Sequence, residues 1–286
     1  MKAVRQIVRN IPQHWVGDGF PVRSLFSYQQ GEQFDPFLML DYGGPYQFEA
    51  AEAKRGVGEH PHRGFETVTI VYEGELEHRD SSGSQGAIGP GDVQWMTAAS
   101  GVVHEEYHSE RFTREGGLFE MVQLWVNLPA RDKMSTPRYQ EITAASIPTA
   151  VLPNQAGTAR VIAGELFGTR GPAKTFTPMN LWDLRLKAGQ SVSLPVPDGE
   201  TTLLVVQRGS VVINQSERAR GVELVRFDRS GDGVSLTADE DTMALVLTGQ
   251  PIGEPVVGRG PFVMTSNDEI RQAILDFQQG KMGRLP

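Results

Sequence analysis

Short runs of β-branched and aromatic residues recur along the whole chain, separated by glycine, proline, aspartate or asparagine. Such runs are typical of strands, and the residues between them are typical of turns. The clearest runs are residues 67–72, 122–126, 202–206 and 243–247. Many short strands with frequent turns form a barrel or a two-sheet sandwich. We therefore predict an all-β fold.

One helix is predicted, at the carboxyl end of the chain, over about residues 266–280. Ser266 followed three residues later by Glu269 matches a capping box, which closes the first turn of a helix. Ile270, Ile274 and Phe277 then recur on one helical face. We expect this face to cover a barrel.

The length of 286 residues and a faint internal repeat predict two domains. Segment 66–76 aligns with segment 201–211 at an offset of 135 residues. We therefore predict two similar barrels, residues 1–134 and residues 135–286. The alignment places three second-half residues on first-half positions: Pro195 on His60, Pro197 on His62 and Thr201 on Glu66. The second barrel thus lacks the histidines of the first.

The histidines of the first half form a pattern that is typical of a metal site. Alternate residues of a strand share a face, so His60 and His62 point together. By the same rule His104 shares its face with Glu106, while Glu105 faces away. Imidazole nitrogens and a carboxylate suit a divalent transition metal. The predicted metal ligands, which we call the ligand set, are His60, His62, His104 and Glu106.

The composition excludes several classes of function. The chain has no cysteine, which removes disulfides, zinc–thiolate sites, iron–sulfur clusters and thiol catalysis. Its net charge of −8 and the lack of an evident basic face argue against direct binding to nucleic acid. No apolar run approaches the roughly 18 residues of a membrane span, and the first residues lack the pattern of a secretory signal. We expect a soluble, cytoplasmic protein that binds neither nucleic acid nor membrane.

Several segments of the first half resemble the pirin family of the cupin superfamily. They are residues 35–41, 60–68, 91–98, 101–106 and 124–129. Pirins consist of two tandem cupin barrels of the jelly-roll type, of which only the first binds a metal. The resemblance implies the same ligand set, with iron(II) as the metal, whereas the ligand chemistry equally admits manganese, nickel, cobalt, copper or zinc. Glu66, at a position that provides a ligand in many other cupins, would then have a structural or supporting role.

The resemblance implies two functions of different classes. Some pirins are similar to quercetin 2,3-dioxygenases, which use O₂ to open the central ring of a flavonol and release carbon monoxide. This predicts a small aromatic, flavonol-like substrate together with O₂, and a catalytic role for Glu106 as acceptor of the substrate's hydroxyl proton. Other pirins resemble iron-binding, redox-responsive regulators that bind a protein partner, either a transcription factor or a metabolic enzyme, without catalysis. A purely structural metal is disfavoured, because the second barrel does without one.

A flat aromatic substrate requires apolar walls around the metal. The candidates are Phe37, Leu38, Met39, Phe65, Trp95, Met96 and Trp125. Arg63 and Gln123 are candidates for polar groups at the mouth of the site. His78 is expected at the surface or among residues that support the ligands.

Overall fold

A computed structural model describes residues 1–285 of the chain. Strands account for 52% of the residues and helices for 12%, so the predicted all-β class is confirmed. The chain forms two compact units. The first barrel consists of Pro12–Ala144 together with the chain from Ile252 onward, and the second barrel consists of Met1–Ile11 and Ala145–Pro251.

The first twelve strands extend to residue 142. They are β1 (Val4–Val8), β2 (His14–Val16), β3 (Phe20–Phe26), β4 (Phe37–Phe48), β5 (Gly56–His62), β6 (Phe65–Glu73), β7 (Leu76–Asp80), β8 (Gln85–Ile88), β9 (Val93–Thr97), β10 (Val102–His108), β11 (Gly117–Asn127) and β12 (Arg138–Ile142). A short helix, α1 (Glu110–Glu115), separates β10 from β11.

The remaining strands begin at residue 149. They are β13 (Thr149–Val151), β14 (Gly157–Ala163), β15 (Glu165–Leu166), β16 (Thr169–Arg170), β17 (Met179–Leu186), β18 (Ser191–Pro195), β19 (Thr201–Arg208), β20 (Ser210–Ile213), β21 (Glu217–Arg220), β22 (Glu223–Phe227), β23 (Gly233–Ala238), β24 (Thr242–Gly249), β25 (Val257–Arg259) and β26 (Phe262–Met264). They are followed by helix α2 (Asn267–Gln278). Within residues 1–285, no helix has both the length and the apolar character needed to cross a membrane.

Each barrel is built from one seven-stranded sheet and one four-stranded sheet. The first has a seven-stranded sheet in the order β12-β9-β6-β11-β4-β3-β2 and a four-stranded sheet in the order β5-β10-β7-β8. The second has the orders β1-β22-β19-β24-β17-β14-β13 and β18-β23-β20-β21. Strand for strand the two lists correspond, as expected for tandem two-sheet barrels. The prediction of two tandem barrels is confirmed.

Each compact unit draws on more than one stretch of the chain. β12 pairs with β9 in the first barrel, and β1 pairs with β22 in the second. The compact units therefore do not follow a single division between residues 134 and 135, because pairing across a sheet, rather than position along the chain, groups these strands. The predicted boundary between residues 1–134 and 135–286 stays a prediction.

The C-terminal helix α2 packs on the first barrel. Its N-cap is Ser266, whose side chain accepts a hydrogen bond from the backbone N–H of Glu269, as the capping pattern predicts. Ile270 and Ala273 are buried in an apolar cluster with Val103, Phe262, Met264 and Met282. Phe277, which was expected on the buried face, is 39% exposed. The predicted helix is confirmed.

Candidate metal centre

The ligand set lies on two neighbouring strands of the four-stranded sheet of the first barrel. β5 and β10 are antiparallel, with His60 opposite His104. The register shifts by one residue between His104 and Glu106. Such bulges redirect side chains and are common next to functional sites. β7 lies on the other side of β10, where His78 stands opposite Glu106.

The three predicted histidines converge. The ligand nitrogens of His60, His62 and His104 all lie within 4.8 Å of one another. The ring centroids of His60 and His104 are 4.2 Å apart, and those of His62 and His104 are 4.9 Å apart. Glu106 falls in an overlapping group with His78 and His104, whose ligand atoms also lie within 4.8 Å of one another. His104 thus belongs to both groups.

Hydrogen bonds leave the Nε2 atoms of these rings free to bind a cation. The Nδ1 of His60 lies 2.8 Å from the carbonyl oxygen of Gly58, and the Nδ1 of His62 lies 3.4 Å from that of Pro261. Because a carbonyl oxygen only accepts, each Nδ1 carries the proton and each Nε2 keeps its lone pair. The Nε2 of His104 is buried and has no hydrogen-bond partner in the protein. These nitrogen donors, which include the buried and unpartnered Nε2 of His104, fit a divalent metal.

The environment also keeps two of the rings neutral. Burial lowers the pKa of His62 well below its usual value, and the neighbouring His60 lowers it further. Burial likewise lowers the pKa of His104, as do the surrounding imidazoles. A neutral imidazole is the form that binds a metal.

Glu106 is held in place by a residue that the sequence did not reveal. The Nε2 of Gln94 donates to the Oε1 of Glu106 over 2.7 Å, and the hydroxyl of Tyr139 donates to the Oε1 of Gln94 over 3.1 Å. Gln94 is 2% exposed. Its only sequence signal is its place in β9 directly after the Gly91-Asp92 turn.

A cavity of about 260 Å³ ends on the ligand set. His60, His62 and Glu106 line it on one side. Its other lining residues are mainly apolar, namely Val16, Phe20, Val22, Met39, Val57, Met121 and Trp125, with Asp41 and Gln123 as polar groups. Apolar walls with a few polar groups are typical of small-molecule sites. The volumes of such sites usually begin at about 300 Å³, so this cavity is close to the lower end of that range.

Three of the residues expected around a substrate line this cavity: Met39, Trp125 and Gln123. The other five wall candidates do not line it and are buried in the barrel: Phe37, Leu38, Phe65, Trp95 and Met96. Phe65 supports the wall from behind, since its ring centroid is 4.3 Å from that of Trp125.

Arg63 does not lie at the mouth of the cavity. It is buried and forms an ion pair of 2.9 Å with Asp276 of α2. Its backbone N–H donates to the carbonyl of Pro261, the same carbonyl that binds His62. Gly64, with φ of 91°, lets this segment approach, because a Cβ there would lie 2.0 Å from the carbonyl oxygen of Val263.

Glu66 lies apart from the two groups of possible metal ligands. Its side chain is 1% exposed and accepts a hydrogen bond of 2.6 Å from the hydroxyl of Thr97. Burial raises the pKa of Glu66 to about 7. These contacts agree with the structural role expected for Glu66.

A second cavity, of about 760 Å³, is lined mainly by polar and charged side chains. Glu77, Arg79, Glu105 and Tyr107 line it together with His78. Strand alternation turns the first four side chains away from the ligand set. Four of its charged side chains form ion pairs, Lys54 with Glu77 at 2.5 Å and Arg79 with Glu105.

Comparison with known proteins identifies relatives over nearly the whole chain. A sequence profile of the Pirin family matches residues 19–126, and one of the Pirin C-terminal cupin domain matches residues 181–283. A Pseudomonas aeruginosa protein named "Putative quercetin 2,3-dioxygenase" is 56% identical over 285 residues, covering 99% of both chains. A pirin-like protein of Caulobacter vibrioides is 40% identical over 284 residues, which are 97% of this chain and 99% of the relative. A crystal structure of a quercetin 2,3-dioxygenase from Acinetobacter baumannii superimposes with a TM-score of 0.96 at 54% identity, covering 99% of both chains.

Proposed function

The chain belongs to the pirin family, and from this premise we propose that it is a metal-dependent dioxygenase of the quercetin 2,3-dioxygenase type. The observation that carries the proposal is a largely apolar cavity that ends on three ligand residues. Relatives at 56% and 54% identity carry the name of this activity. The proposed reaction consumes O₂, opens the central ring of a flavonol and releases carbon monoxide.

The ligand set would hold one divalent metal, and iron(II) is the metal that we propose. Four protein ligands on a six-coordinate ion leave up to two open positions, so the metal, when bound, supplies Lewis acidity and redox chemistry within reach of a substrate. Purified protein should therefore contain one equivalent of metal, measurable by elemental analysis.

Glu106 is proposed as the acceptor of the substrate's hydroxyl proton. It lines the cavity and is 8% exposed. The hydrogen bond from Gln94 fixes the orientation of its carboxylate. A carboxylate that is positioned in this way can take a proton from a bound hydroxyl group.

The polar groups of the cavity suit a hydroxylated aromatic molecule. The Oδ1 of Asp41 is buried without a hydrogen-bond partner in the protein, and it can accept from a substrate hydroxyl. The Oε1 of Gln123 accepts from Thr69 over 2.8 Å, which leaves its amide N–H groups to donate to a substrate oxygen. Trp125 and Met39 provide apolar contact surface for a ring.

The test is to mix iron(II)-loaded protein with quercetin under air. We expect the visible absorption of quercetin to decay, with equimolar O₂ consumed and carbon monoxide released. His62→Ala should remove this activity because it removes a ligand. His108→Gln is the matched control, since His108 is a buried histidine whose Nε2 donates to the carbonyl of Gly19 and which lies outside both ligand groups.

Decay that is equally fast with wild type and His62→Ala would contradict the dioxygenase proposal. Metal binding without any decay would instead favour the redox-responsive regulator.

A further inference from the structure

Two buried side chains form a chain of contacts with His104, which runs from His104 to His78 and from His78 to Asp80. The Nδ1 of His78 is 3.3 Å from the Nδ1 of His104, and the Nε2 of His78 is 3.1 Å from the Oδ2 of Asp80. His104, His78 and Asp80 are 0%, 4% and 1% exposed. We propose that His78 and Asp80 are positioning residues that fix the tautomer and the orientation of His104, so that its Nε2 lone pair faces the metal. This inference rests on the proposed metal centre.

The direction of the proton follows from what each group can accept. An ionised carboxylate only accepts hydrogen bonds, so the Nε2 of His78 carries a proton and donates a hydrogen bond to Asp80. A neutral imidazole has one proton, so the Nδ1 of His78 is then an acceptor. The Nδ1 of His104 must therefore be the donor, and its Nε2 is left with the lone pair. The chain of contacts thus selects the tautomer of His104 that can bind a metal through Nε2.

The sheet holds these three groups on one face. In the pairing of β7 with β10, Asp80 stands opposite His104 and His78 stands opposite Glu106. The second carboxylate oxygen of Asp80, Oδ1, accepts from the N–H and hydroxyl of Ser82 and from the N–H of Ser84 at 2.6–3.1 Å. Asp80 is therefore anchored at one oxygen and directed toward His78 with the other.

Tyr139 links this chain of contacts to the other end of the ligand set. Its ring stacks on that of His78, with centroids 5.0 Å apart and planes at 15°. Its hydroxyl donates to Gln94, which in turn donates to Glu106. The residues behind β10 thus support both of its predicted ligands, and such supporting contacts commonly tune affinity for the metal.

His104 differs in this respect from the other two histidines. His60 and His62 donate to neutral backbone carbonyls, whereas His104 donates through His78 toward an anionic carboxylate. Hydrogen bonds in such a chain polarise one another and make the last nitrogen a better electron donor.

The experiment measures affinity for cobalt(II) by competition with a coloured chelator, in the wild type and in His78→Leu, His78→Gln and Asp80→Asn. We expect His78→Leu to weaken binding about 10–100-fold, the usual effect of losing a supporting group. His78→Gln should recover most of the affinity, because its amide oxygen can still accept from the Nδ1 of His104. His108→Leu is the matched control, because it also removes a buried histidine, here from β10. Its affinity for cobalt(II) should equal that of the wild type.

Asp80→Asn tests the tautomer directly. An asparagine amide can donate to the Nε2 of His78, which would turn the Nδ1 of His78 into a donor and move the proton of His104 to Nε2. A ¹H–¹⁵N spectrum of histidine-labelled, metal-free protein should show His104 protonated at Nδ1 in the wild type and at Nε2 in Asp80→Asn. Circular dichroism verifies that each variant is folded.

The outcomes separate this inference from the function on which it rests. If the wild type binds no cobalt, the metal centre itself is wrong. If the wild type binds cobalt, and His78→Leu and Asp80→Asn bind as tightly as His108→Leu, the positioning role is overturned. If His78→Gln binds as weakly as His78→Leu, His78 is itself a ligand, in the group with His104 and Glu106, and the positioning role is again overturned.

Discussion

The two barrels share one strand order, but they fill the same interior positions with opposite chemistry. Where the first pairs His60 with His104 across its four-stranded sheet, the second pairs Leu194 with Val234. Where the first sets Glu106 opposite His78, the second sets Leu236 opposite Ile213. All four second-barrel residues belong to one buried apolar cluster. The fold therefore does not require polar groups at these positions, and their presence in the first barrel is best explained by what they bind.

The strongest test of this comparison copies the second barrel into the first. In the double variant His60→Leu, His104→Val, the aliphatic pair replaces two ligands of the proposed metal. We expect affinity for metal to fall by more than about 100-fold, beyond the effect of losing a supporting group. The circular dichroism spectrum should stay that of a folded barrel, because the second barrel holds the same residues at these positions. Retention of wild-type affinity would mean that the metal binds elsewhere.

A smaller effect is expected from a carboxyl group, Glu66, which the first barrel buries at a position where the second barrel has a threonine. Burial raises the pKa of Glu66 from 4.5 to about 7, whereas Thr201 occupies the aligned position in the second barrel. Between these two values the folded state holds a proton that the unfolded chain has released. The contribution of protonated Glu66 to the free energy of unfolding is therefore fully present below about pH 4.5, and it is lost as the pH rises through about 7.

At about 1.4 kcal/mol per pKa unit, the shift of Glu66 from 4.5 to about 7 corresponds to a loss of at most about 3–4 kcal/mol in the free energy of unfolding. Glu66→Gln should remove it, since the amide stays neutral and still accepts from Thr97. Urea unfolding at pH 5 and pH 8 measures the difference for both proteins. An equal loss of stability in the variant would show that another group causes it.

The smallest effect is expected from the reverse exchange. Val234→His places an imidazole in the apolar interior of the second barrel, where Leu194 stands opposite it. A buried polar group without a partner costs about 1–3 kcal/mol, and this loss should appear in urea unfolding. The metal content should stay that of the wild type, because one histidine among aliphatic side chains is not a site. A second equivalent of bound metal would contradict the contrast between the barrels.

The sequence alignment of the two halves was off by one residue at this sheet. It placed Pro195 on His60 and Pro197 on His62, but strand pairing makes Leu194 the counterpart of His60. Pro195 is exposed and Leu194 is 1% exposed. A shift of one residue exchanges the two faces of a strand. The alignment therefore detected the loss of the histidines correctly, but it did not identify the residues that fill the space.

Patterns within a strand predicted more of the site than did contacts between strands. Alternation placed His60 with His62 and His104 with Glu106 before any pairing was known. The positions of His78 and Asp80 could not be read in this way, because they depend on β7 lying beside β10. Likewise, the sequence did not show that the carbonyl of Pro261, about two hundred positions along the chain, accepts from His62.

By itself, the sequence determined the all-β class, the two barrels, the C-terminal helix and the convergence of histidines in the first half. The two barrels follow from the internal repeat. The other features follow from local patterns, because the side chains of a strand or helix take their directions from the backbone of that element alone. Tertiary structure decided which strands are neighbours, and therefore that α2 packs on the first barrel and that a histidine and an aspartate stand behind His104. These contacts join residues far apart in the chain, and only the closing of the sheets brings them within hydrogen-bonding distance.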